Sequence, residues 1–496
     1  MLDSLKRLTK HSLVYGIGHI VSRFMGFLLM PIHTNIFPPE IYRTPTLLFS
    51  ALAIMNVVFT YGIDTAFLRF FILEESRQAR QRIFSTVFFT ILTTGLFFSL
   101  ILLLFPGPFS ELIFKSADYK VMIRLASGIL LTDALSLIPF LILRAEEKSA
   151  QFVTVRTVNI VLNLGLNILF VAILRKGITY IFVANLIAST AALLMLMPVI
   201  VRWLRLKFSR HTLLELLNFG LPYIPSVLSV IVMDKIGNFY LDRMAGEKWT
   251  GIFSAGCKLG MFMALVVSAF RFAWHPFFLS TYKQDNAKEI FARVMTYFLM
   301  VTGFFFLLVS FFIKEILQIR PFGVGLIGAD YTAGIIVVPV IMLAYIAYGV
   351  YTHFIIGVFL KSKSMYVPIV TGLGGITSLV ANELLISHMA LHMKIMGAAW
   401  AVALSYIVMA GAMYFVNRHL YPITYESRRI FKIILVFGGL FFLHYFLLDQ
   451  TGFLIRLLCL LMIVPLLYIL QFFEEREIRA IKRMIFIFAN KKNKSD

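Results

Sequence analysis

The sequence predicts an all-α polytopic membrane protein with about fourteen transmembrane helices. The first observation is composition, because 60% of the 496 residues are hydrophobic and 14% are charged, whereas an ordinary globular chain is about 25% charged. The second is a partial internal repeat, in which Arg23 lies inside the first apolar run and Lys258 inside a later one. A costly buried cation in each of two halves is typical of repeats arranged around a central site.

Apolar runs of about 18 residues or more are long enough to cross a bilayer as helices. Such runs occupy residues 11–36, 44–70, 83–105, 121–143, 151–174, 178–201, 212–236, 248–272, 290–313, 331–358, 366–387, 395–416, 430–448 and 452–473. The first run is too long for a signal-peptide core and lacks a small-residue cleavage motif, so we expect it to remain as a span. The segments between the runs are too short for a soluble catalytic or nucleotide-binding domain.

The basic residues follow a topological pattern. Loops on the side of the N-terminus carry most of them, including Arg77, Arg80, Arg202 and Arg205, whereas the opposite loops carry few, such as Arg43. By the positive-inside rule both termini are cytoplasmic. The net charge of +21 is therefore a topology signal, and we expect no nucleic-acid partner.

Polar side chains recur at helical spacing in two of the runs. In span one the polar face consists of Ser12, Tyr15, His19, Ser22, Arg23 and Gly26, and in span five of Arg156, Asn159, Asn163 and Asn167. Offsets of three and four residues place each set on one side of its helix. We interpret both faces as lining a cavity, with His19 and Ser22 as binding residues; the alternative is polar packing between helices.

Span seven carries further polar residues, Tyr223, Ser226, Asp234 and Asn238, of which we take Tyr223 and Asp234 as binding candidates. Pro222 and Pro225 are expected to bend its cytoplasmic end. Among the acids within spans, Asp133 falls nearest to the bilayer centre. It is our first candidate for proton or sodium coupling, with Asp64 as the second. The alternative is a neutral or locally paired aspartate.

Neither the histidines nor the cysteines form a cofactor signature. His388 and His392 have i, i+4 spacing but lack a third ligand in register, so we expect no metal. Cys257 and Cys459 both lie in apolar runs and are interpreted as small core residues. We therefore expect no cofactor apart from a possible coupling ion.

Four stretches resemble the Wzx-like polysaccharide and oligosaccharide flippases of the multidrug/oligosaccharidyl-lipid/polysaccharide (MOP) exporter superfamily. They are YGIGHIVSRFMGFLLMPIHTNIF from Tyr15, YGIDTAFLRFF from Tyr61, the segment from Asp234 to Ser280, and KIMGAAWAVALSYIVMAG from Lys394. The resemblance covers most of the chain. The sequence differs from the family pattern between Glu40 and Ser50. Such proteins usually have a glycine soon after the start of this stretch, whereas this chain has Arg43 and Pro45 there.

The resemblance implies a MATE-like architecture of two pseudo-symmetric six-helix lobes. These are residues 1–210 and 211–420, followed by two further spans at 421–473 and a basic cytoplasmic tail at 474–496. It implies a bacterial inner-membrane flippase that moves an undecaprenyl-diphosphate-linked oligosaccharide from the cytoplasmic to the outer leaflet by alternating access. Membrane lipids, and the polymerase and glycosyltransferases of the same polysaccharide or lipopolysaccharide pathway, are the implied partners.

The depth of two cations fits this substrate. Arg23 lies about 18 Å of helix above the cytoplasmic face and Lys258 about 15 Å below the outer face, so both fall near the midplane. We predict that they bind the lipid diphosphate together, Arg23 as a bidentate fork and Lys258 as a point charge. Alternatively, each pairs with a carboxylate of its own lobe, such as Asp64 or Asp234, and only holds helices together.

Two other functions remain open at this point. A cation-coupled multidrug exporter of the same fold is the first alternative, although cationic drugs favour buried carboxylates over a basic cavity. A membrane glycan polymerase or ligase is the second, although such an enzyme typically needs a large extracytoplasmic loop. We therefore predict a transporter and not an enzyme.

Overall fold

The computed structural model describes residues 27–320, 323–387, 393–448 and 452–475, together with Glu477 and Arg479. In these residues the regular structure is helical throughout. The first helices are α1 (described from Phe27 to Ile36), α2 (Pro39–Thr60), α3 (Ile63–Leu73), α4 (Arg77–Leu104), α5 (Pro106–Phe114), α6 (Lys120–Ala145), α7 (Ser149–Asn167), α8 (Tyr180–Trp203), α9 (Arg210–Gly220) and α10 (Ile224–Met244).

The remaining helices are α11 (Glu247–Gly260), α12 (Phe262–Thr281), α13 (Ala287–Gln318), α14 (Val338–Phe354), α15 (Ile356–Leu360), α16 (Tyr366–Ile386), α17 (Lys394–Leu420), α18 (Ser427–Leu443), α19 (Phe453–Leu461) and α20 (Ile463–Ile469). A π-helical turn, Ile168–Ile173, extends α7, and another, His444–Leu448, extends α18. The 3-10 helix Ala329–Val337 leads into α14.

The predicted all-α membrane fold is confirmed. Twelve helical segments of the described residues are long and apolar enough to cross a membrane. The shorter helices Phe27–Ile36 and Phe453–Ile469 are apolar as well. The number of fourteen spans stays a prediction, because residues 11–26 of the first predicted span lie outside the described residues.

Two predicted spans are interrupted. The span predicted at 44–70 begins earlier, at Pro39, whose fixed φ suits the first turn of a helix. It then ends at Tyr61 and Gly62, which both adopt left-handed conformations (φ 52° and 59°) and separate α2 from α3. The span predicted at 248–272 divides at Met261 into α11 and α12.

The predicted bend of span seven takes the form of a change in helix type. Helix α9 ends at Gly220, and the 3-10 turn Leu221–Tyr223, which contains Pro222, leads into α10. Proline cannot donate the backbone hydrogen bond that a continuous α-helix needs, which explains the change.

By their packing the described residues form two units. Unit 1 contains residues up to Ser280 and Leu317–Pro422. In it α2, α3, α4, α6, α7 and α8 share one apolar core, to which Phe59, Phe84 and Phe182 contribute. Helices α10, α14, α16 and α17 pack on one another, and α2 contacts both α10 and α11.

Unit 2 contains Thr281–Ile316 and the chain from Ile423 onward. Its core includes Leu307, Phe311, Phe437 and Leu440. Arg429 on α18 donates hydrogen bonds to Glu426 and to Glu477, both acids of the same unit. These bonds attach the segment that follows α20 to α18.

Candidate functional site

A cavity of about 430 Å³ lies inside unit 1. This volume is within the range of ligand-binding cavities in proteins, about 300–1,000 Å³. Part of the lining comes from α7 and α8 and carries Asn163 and Asn185. Another part comes from α10 and α11 and carries Asp234, Lys235 and Lys258. Phe27, Phe49, Phe253, Phe262 and Tyr345 supply aromatic surface.

Lys258 lies in the last turn of α11 and lines this cavity. Its ammonium donates a hydrogen bond of 2.5 Å to the hydroxyl of Tyr42 on α2 and lies 5.1 Å from the centroid of that ring. Within the described part of the chain no carboxylate forms an ion pair with Lys258. The cation is therefore held by a phenol and is available to an anionic ligand.

Tyr42 is fixed by its neighbours and is only 1% exposed. The ring of Tyr331 packs edge-on against it, with centroids 5.7 Å apart, and the ring of His33 lies at 6.2 Å. Tyr331 donates a hydrogen bond of 2.7 Å to the carbonyl of Phe37. Because Tyr42 cannot move freely, it defines where the Lys258 ammonium lies.

Only part of the polar face predicted for α7 lines the cavity. Asn163 lines the cavity, whereas Asn167 is fully buried and donates to the carbonyl and to the side-chain oxygen of Asn163, at 2.8 and 3.0 Å. The side-chain oxygen of Asn167 also lies 3.0 Å from Nε2 of His33. Asn167 therefore positions Asn163, and the described lining of the cavity does not include Asn159.

Arg156 contacts aromatic rings, since its guanidinium lies 4.2 Å from the centroid of Phe140. Asp133 on α6 is close enough to interact electrostatically with Arg156. The interpretation of Arg156 as a residue of this cavity is thus not supported by the described lining. The role of Asp133 as a coupling residue stays a prediction, as does the alternative of a neutral or locally paired aspartate.

Asp234 lines the cavity and accepts a hydrogen bond of 2.7 Å from the hydroxyl of Tyr406. Tyr223 lies in the 3-10 turn before α10, where its ring is 5.8 Å from that of Phe219. Asp64 is exposed in the first turn of α3. Neither Tyr223 nor Asp64 is part of the described cavity lining.

Some candidate residues cannot be placed. Arg23, His19 and Ser22 lie outside the described residues, as do Ser12, Tyr15 and Gly26 of the same predicted face. His388 and His392 also lie outside them. In the part of the chain that the structure describes, no group of three or more His, Cys, Asp or Glu residues is arranged for a metal.

Lys235 and Asn185 are among the lining residues of this cavity that sequence reasoning missed, whereas Asn238 belongs to the polar residues noted in span seven. Lys235 directly follows Asp234 and stands, like Lys258, as a cation within an apolar run. That signal was present in the sequence. Asn185 carried none, because it is a single amide in span six without a polar partner at helical spacing.

One end of the cavity is closed by contacts of α1 and α2 with α10, α11 and the segment before α14. Arg43 on α2 is 3% exposed and donates hydrogen bonds of 2.9 and 3.1 Å to Asp242 on α10 and a further one to Glu247 on α11. Thr46 donates a hydrogen bond of 2.8 Å to Ser254. A Cβ atom on Gly251 would lie 2.1 Å from the carbonyl oxygen of Pro39, so only glycine permits this approach.

Comparison with known proteins identifies the family to which this chain belongs. The family model described as "Polysaccharide biosynthesis protein" matches residues 8–282. The chain belongs to this family. A comparison with curated proteins finds no match.

Solved structures with the same fold are membrane transporters. The lipid II flippase MurJ in an inward closed conformation has 16% sequence identity and a TM-score of 0.66, over 91% of this chain and 97% of that one. A multidrug resistance MATE family transporter of the MOP superfamily, outward-facing, has 13% identity and a TM-score of 0.59, over 83% and 95% of the two chains. A MOP superfamily transporter from Pyrococcus furiosus has 13% identity and a TM-score of 0.57, over the same shares.

This member of the polysaccharide biosynthesis protein family has a second pocket of about 340 Å³. It lies among α10, α12, α14 and α16. It is mostly apolar and contains Arg271, whose guanidinium donates a hydrogen bond of 2.9 Å to the hydroxyl of Tyr348. His275 lines the same pocket one helical turn further along α12. Arg271 is a further cation in an apolar run that sequence reasoning did not single out.

Proposed function

We propose that this protein is a flippase that carries an undecaprenyl-diphosphate-linked oligosaccharide from the cytoplasmic to the outer leaflet by alternating access. In this role it serves cell-surface polysaccharide biosynthesis. The observation that carries the proposal is Lys258, a cation on a cavity wall whose partner in the described residues is the Tyr42 hydroxyl. Membership of the polysaccharide biosynthesis protein family supports the glycan part of the substrate.

The charges of the cavity support an anionic substrate. Lys235 and Lys258 line it together with one carboxylate, Asp234, which Tyr406 already engages through a hydrogen bond. A diphosphate can take several charge-assisted hydrogen bonds from ammonium groups, which are stronger than neutral ones. The amides of Asn163 and Asn185 offer both donors and acceptors, as sugar hydroxyls require.

The closed end of the cavity supports loading from the cytoplasmic side. Under the topology predicted from the basic residues, Arg43 and Glu247 belong to the outer ends of their helices. A cavity sealed by Arg43, Asp242 and Glu247 would then be closed toward the outside. This is the arrangement in which a flippase receives its substrate from the inner leaflet of a bacterial inner membrane, with both termini in the cytoplasm.

The alternative function is a cation-coupled multidrug exporter, which the MATE family neighbours and the carboxylate of Asp234 favour. Two lysines against one aspartate make the described cavity wall repulsive to a cationic drug. A glycan polymerase or ligase receives no support from the neighbours, which are transporters. The polymerase and glycosyltransferases of the same pathway remain proposed partners.

The test is flipping of a diphosphate-linked glycan by the full-length protein in vesicles. Lys258→Gln should slow flipping by at least about tenfold, since a hydrogen bond to a charged group contributes about 1.5–3 kcal/mol. Lys258→Arg should retain part of the activity. Lys248→Gln is the matched control, because Lys248 lies on the same helix but is exposed and does not line the cavity.

Two results would reject the proposal. One is flipping at the wild-type rate by Lys258→Gln protein present at normal amounts. The other is a deletion strain in which no lipid-linked saccharide accumulates on the cytoplasmic leaflet while sensitivity to cationic dyes rises. The second result would favour the multidrug exporter.

A further inference from the structure

We propose that the loop between α8 and α9, residues 204–209 and here called the linker loop, binds the anionic headgroup layer of the membrane. Two apolar side chains, Leu206 and Phe208, insert among the lipids, and the cations next to them bind lipid phosphates. Under the topology predicted from the basic residues, this is the cytoplasmic leaflet. The inference concerns the leaflet and not the transported substrate, so it does not depend on the proposed function.

Leu206 forms the apex of a tight turn. The backbone N–H of Lys207 donates a hydrogen bond of 2.7 Å to the carbonyl of Arg205, which closes a three-residue turn around Leu206. The Leu206 side chain is 93% exposed, more than any other large apolar side chain of the described residues, and Phe208 is 57% exposed. Side chains of this kind gain free energy when an apolar partner covers them.

The linker loop is fixed against α4 on both sides of this apex. The backbone N–H of Arg205 donates a hydrogen bond of 2.8 Å to Oγ of Ser85. The backbone N–H of Ser209 donates one of 3.1 Å to Oγ1 of Thr86. Both hydroxyl side chains are fully buried. Because the turn is already ordered, covering Leu206 costs little conformational entropy.

The flanking spans place the apex at the membrane interface. The span Tyr180–Trp203 ends three residues before Leu206, and the span Arg210–Met244 begins four residues after it. Three residues reach at most about 11 Å even when fully extended. The polar headgroup layer is about 5–7 Å thick on each side of the hydrocarbon core. Leu206 is therefore close to the headgroups, and the leaflet is the apolar partner within its reach.

The charges of the linker loop match an anionic leaflet. Arg205, Lys207 and Arg210 are exposed, and in the part of the chain that the structure describes none of them forms an ion pair with a carboxylate. Cations that flank inserted apolar side chains are typical of interfacial anchors on anionic lipids. An acidic protein partner would offer the same charge, but it would have to enter the headgroup layer to cover Leu206. The geometry thus favours lipid.

The experiment reads the surroundings of residue 206 in the full-length protein, reconstituted in vesicles. A fluorophore is attached to Leu206→Cys in a background with Cys257→Ala and Cys459→Ala. The quencher is a spin label on the headgroup of either phosphatidylglycerol or phosphatidylcholine. Gln284→Cys, labelled in the same way, is the matched control, because Gln284 is exposed beside Lys283 in the loop between α12 and α13, where Lys283 is not flanked by two exposed apolar side chains.

We expect the probe at residue 206 to be shielded from aqueous iodide, relative to the probe at residue 284. Phosphatidylglycerol should quench it at least about threefold more efficiently than phosphatidylcholine, because each basic side chain near the surface attracts anionic lipid. The triple variant Arg205→Gln/Lys207→Gln/Arg210→Gln should bring the two lipids to within about 1.5-fold of each other.

Three results would overturn the inference. The first is equal access of iodide to the two probes, which would leave Leu206 in water. The second is equal quenching by the two lipids when the three cations are present, which would remove the anionic lipid. The third is a probe at residue 206 that is shielded in native membranes but not in vesicles of pure lipid, which would assign the surface to a protein partner.

Discussion

Arg43 on α2 and Asp242 on α10 form a buried ion pair, with Nη1 of the arginine 2.9 Å from one carboxylate oxygen and 3.1 Å from the other. The two side chains are 4% and 5% exposed. A second acid, Glu247, contacts the same guanidinium but is 54% exposed. The two residues are 199 positions apart in the chain, so the pair holds α2 against α10 at this end of the cavity.

Asp242 and Glu247 should contribute differently to keeping this end of the cavity closed. Asp242→Asn leaves a buried arginine without its main counter-charge, and losing one partner of a buried pair costs about 2–5 kcal/mol. We expect this variant to open the closed end, measured as increased labelling of a cysteine introduced at Ser50. Glu247→Gln should change labelling little, because exposed ion pairs contribute about 0–1 kcal/mol. Equal labelling of the two variants would contradict the assignment of Arg43 and Asp242 as the closing pair.

The topology makes a separate prediction. A reporter fused after Lys494 should be active only in its cytoplasmic format, and one inserted between Lys115 and Lys120 only in its periplasmic format. The physical reason is the excess of Lys and Arg in alternate loops. The opposite result at either position would invalidate the predicted span count, and opposite results at both would reverse the membrane orientation and place the closed end toward the cytoplasm.

The helices were predictable because their signal is local. A run of apolar residues must bury itself in lipid or protein whatever surrounds it, so most predicted spans occur as helices with shifted ends. Breaks such as Tyr61 and Met261 were not predictable, since they depend on backbone geometry and on what the neighbouring helices permit. Gly62 illustrates this, as a Cβ atom there would lie 3.2 Å from the side chain of Ile224 on another helix.

The site was predictable only in part. Helical spacing placed Asn163 and Asn167 on one face, but it could not tell that His33 would bind Asn167 and leave Asn163 to the cavity. In the same way Lys258 was recognisable as a costly cation, whereas its partner Tyr42 lies 216 residues away. Partners across helices are set by tertiary packing, which a single sequence does not encode in any short pattern.

Unit 2 has a carboxylate whose titration should affect stability. Burial alone would raise the pKa of Glu477, but hydrogen bonds from Tyr297, from the backbone N–H of Glu474 and from Arg429 outweigh it, so that pKa lies below its usual value. A carboxylate whose pKa is lowered in the folded state stabilises the folded protein at pH values above its unfolded-state pKa. This contribution is lost as the pH falls through the folded-state pKa.

We therefore expect low pH to weaken the attachment of the segment that follows α20, which contains Glu477, to α18. Wild-type protein should lose thermal stability as pH falls below the usual range of a glutamate, near about 4.3. Glu477→Gln should be less stable at neutral pH and show a flatter dependence. Denaturation midpoints of both proteins across this pH range test the assignment, and parallel curves would show that Glu477 does not contribute.

Asp133 is the first of the two candidates for ion coupling, and its surroundings allow a sharp test. The carboxylate of Asp133 interacts electrostatically with the positive charge of Arg156. If protons or sodium ions act at Asp133, Asp133→Asn should abolish the dependence of flipping on the gradient while leaving substrate binding within about twofold. Arg156→Gln should retain the gradient dependence, because it leaves the carboxylate in place.

A purely structural pair would behave differently. Each single substitution would then lower the amount of folded protein by leaving one charge unpaired, and the double variant Asp133→Asn/Arg156→Gln would restore it. The measurements are flipping in vesicles with and without proton and sodium gradients, alongside the melting temperature of each variant. Gradient dependence that survives in stable Asp133→Asn protein would remove Asp133 as the coupling residue, since an asparagine amide neither titrates nor carries the charge that binds a cation.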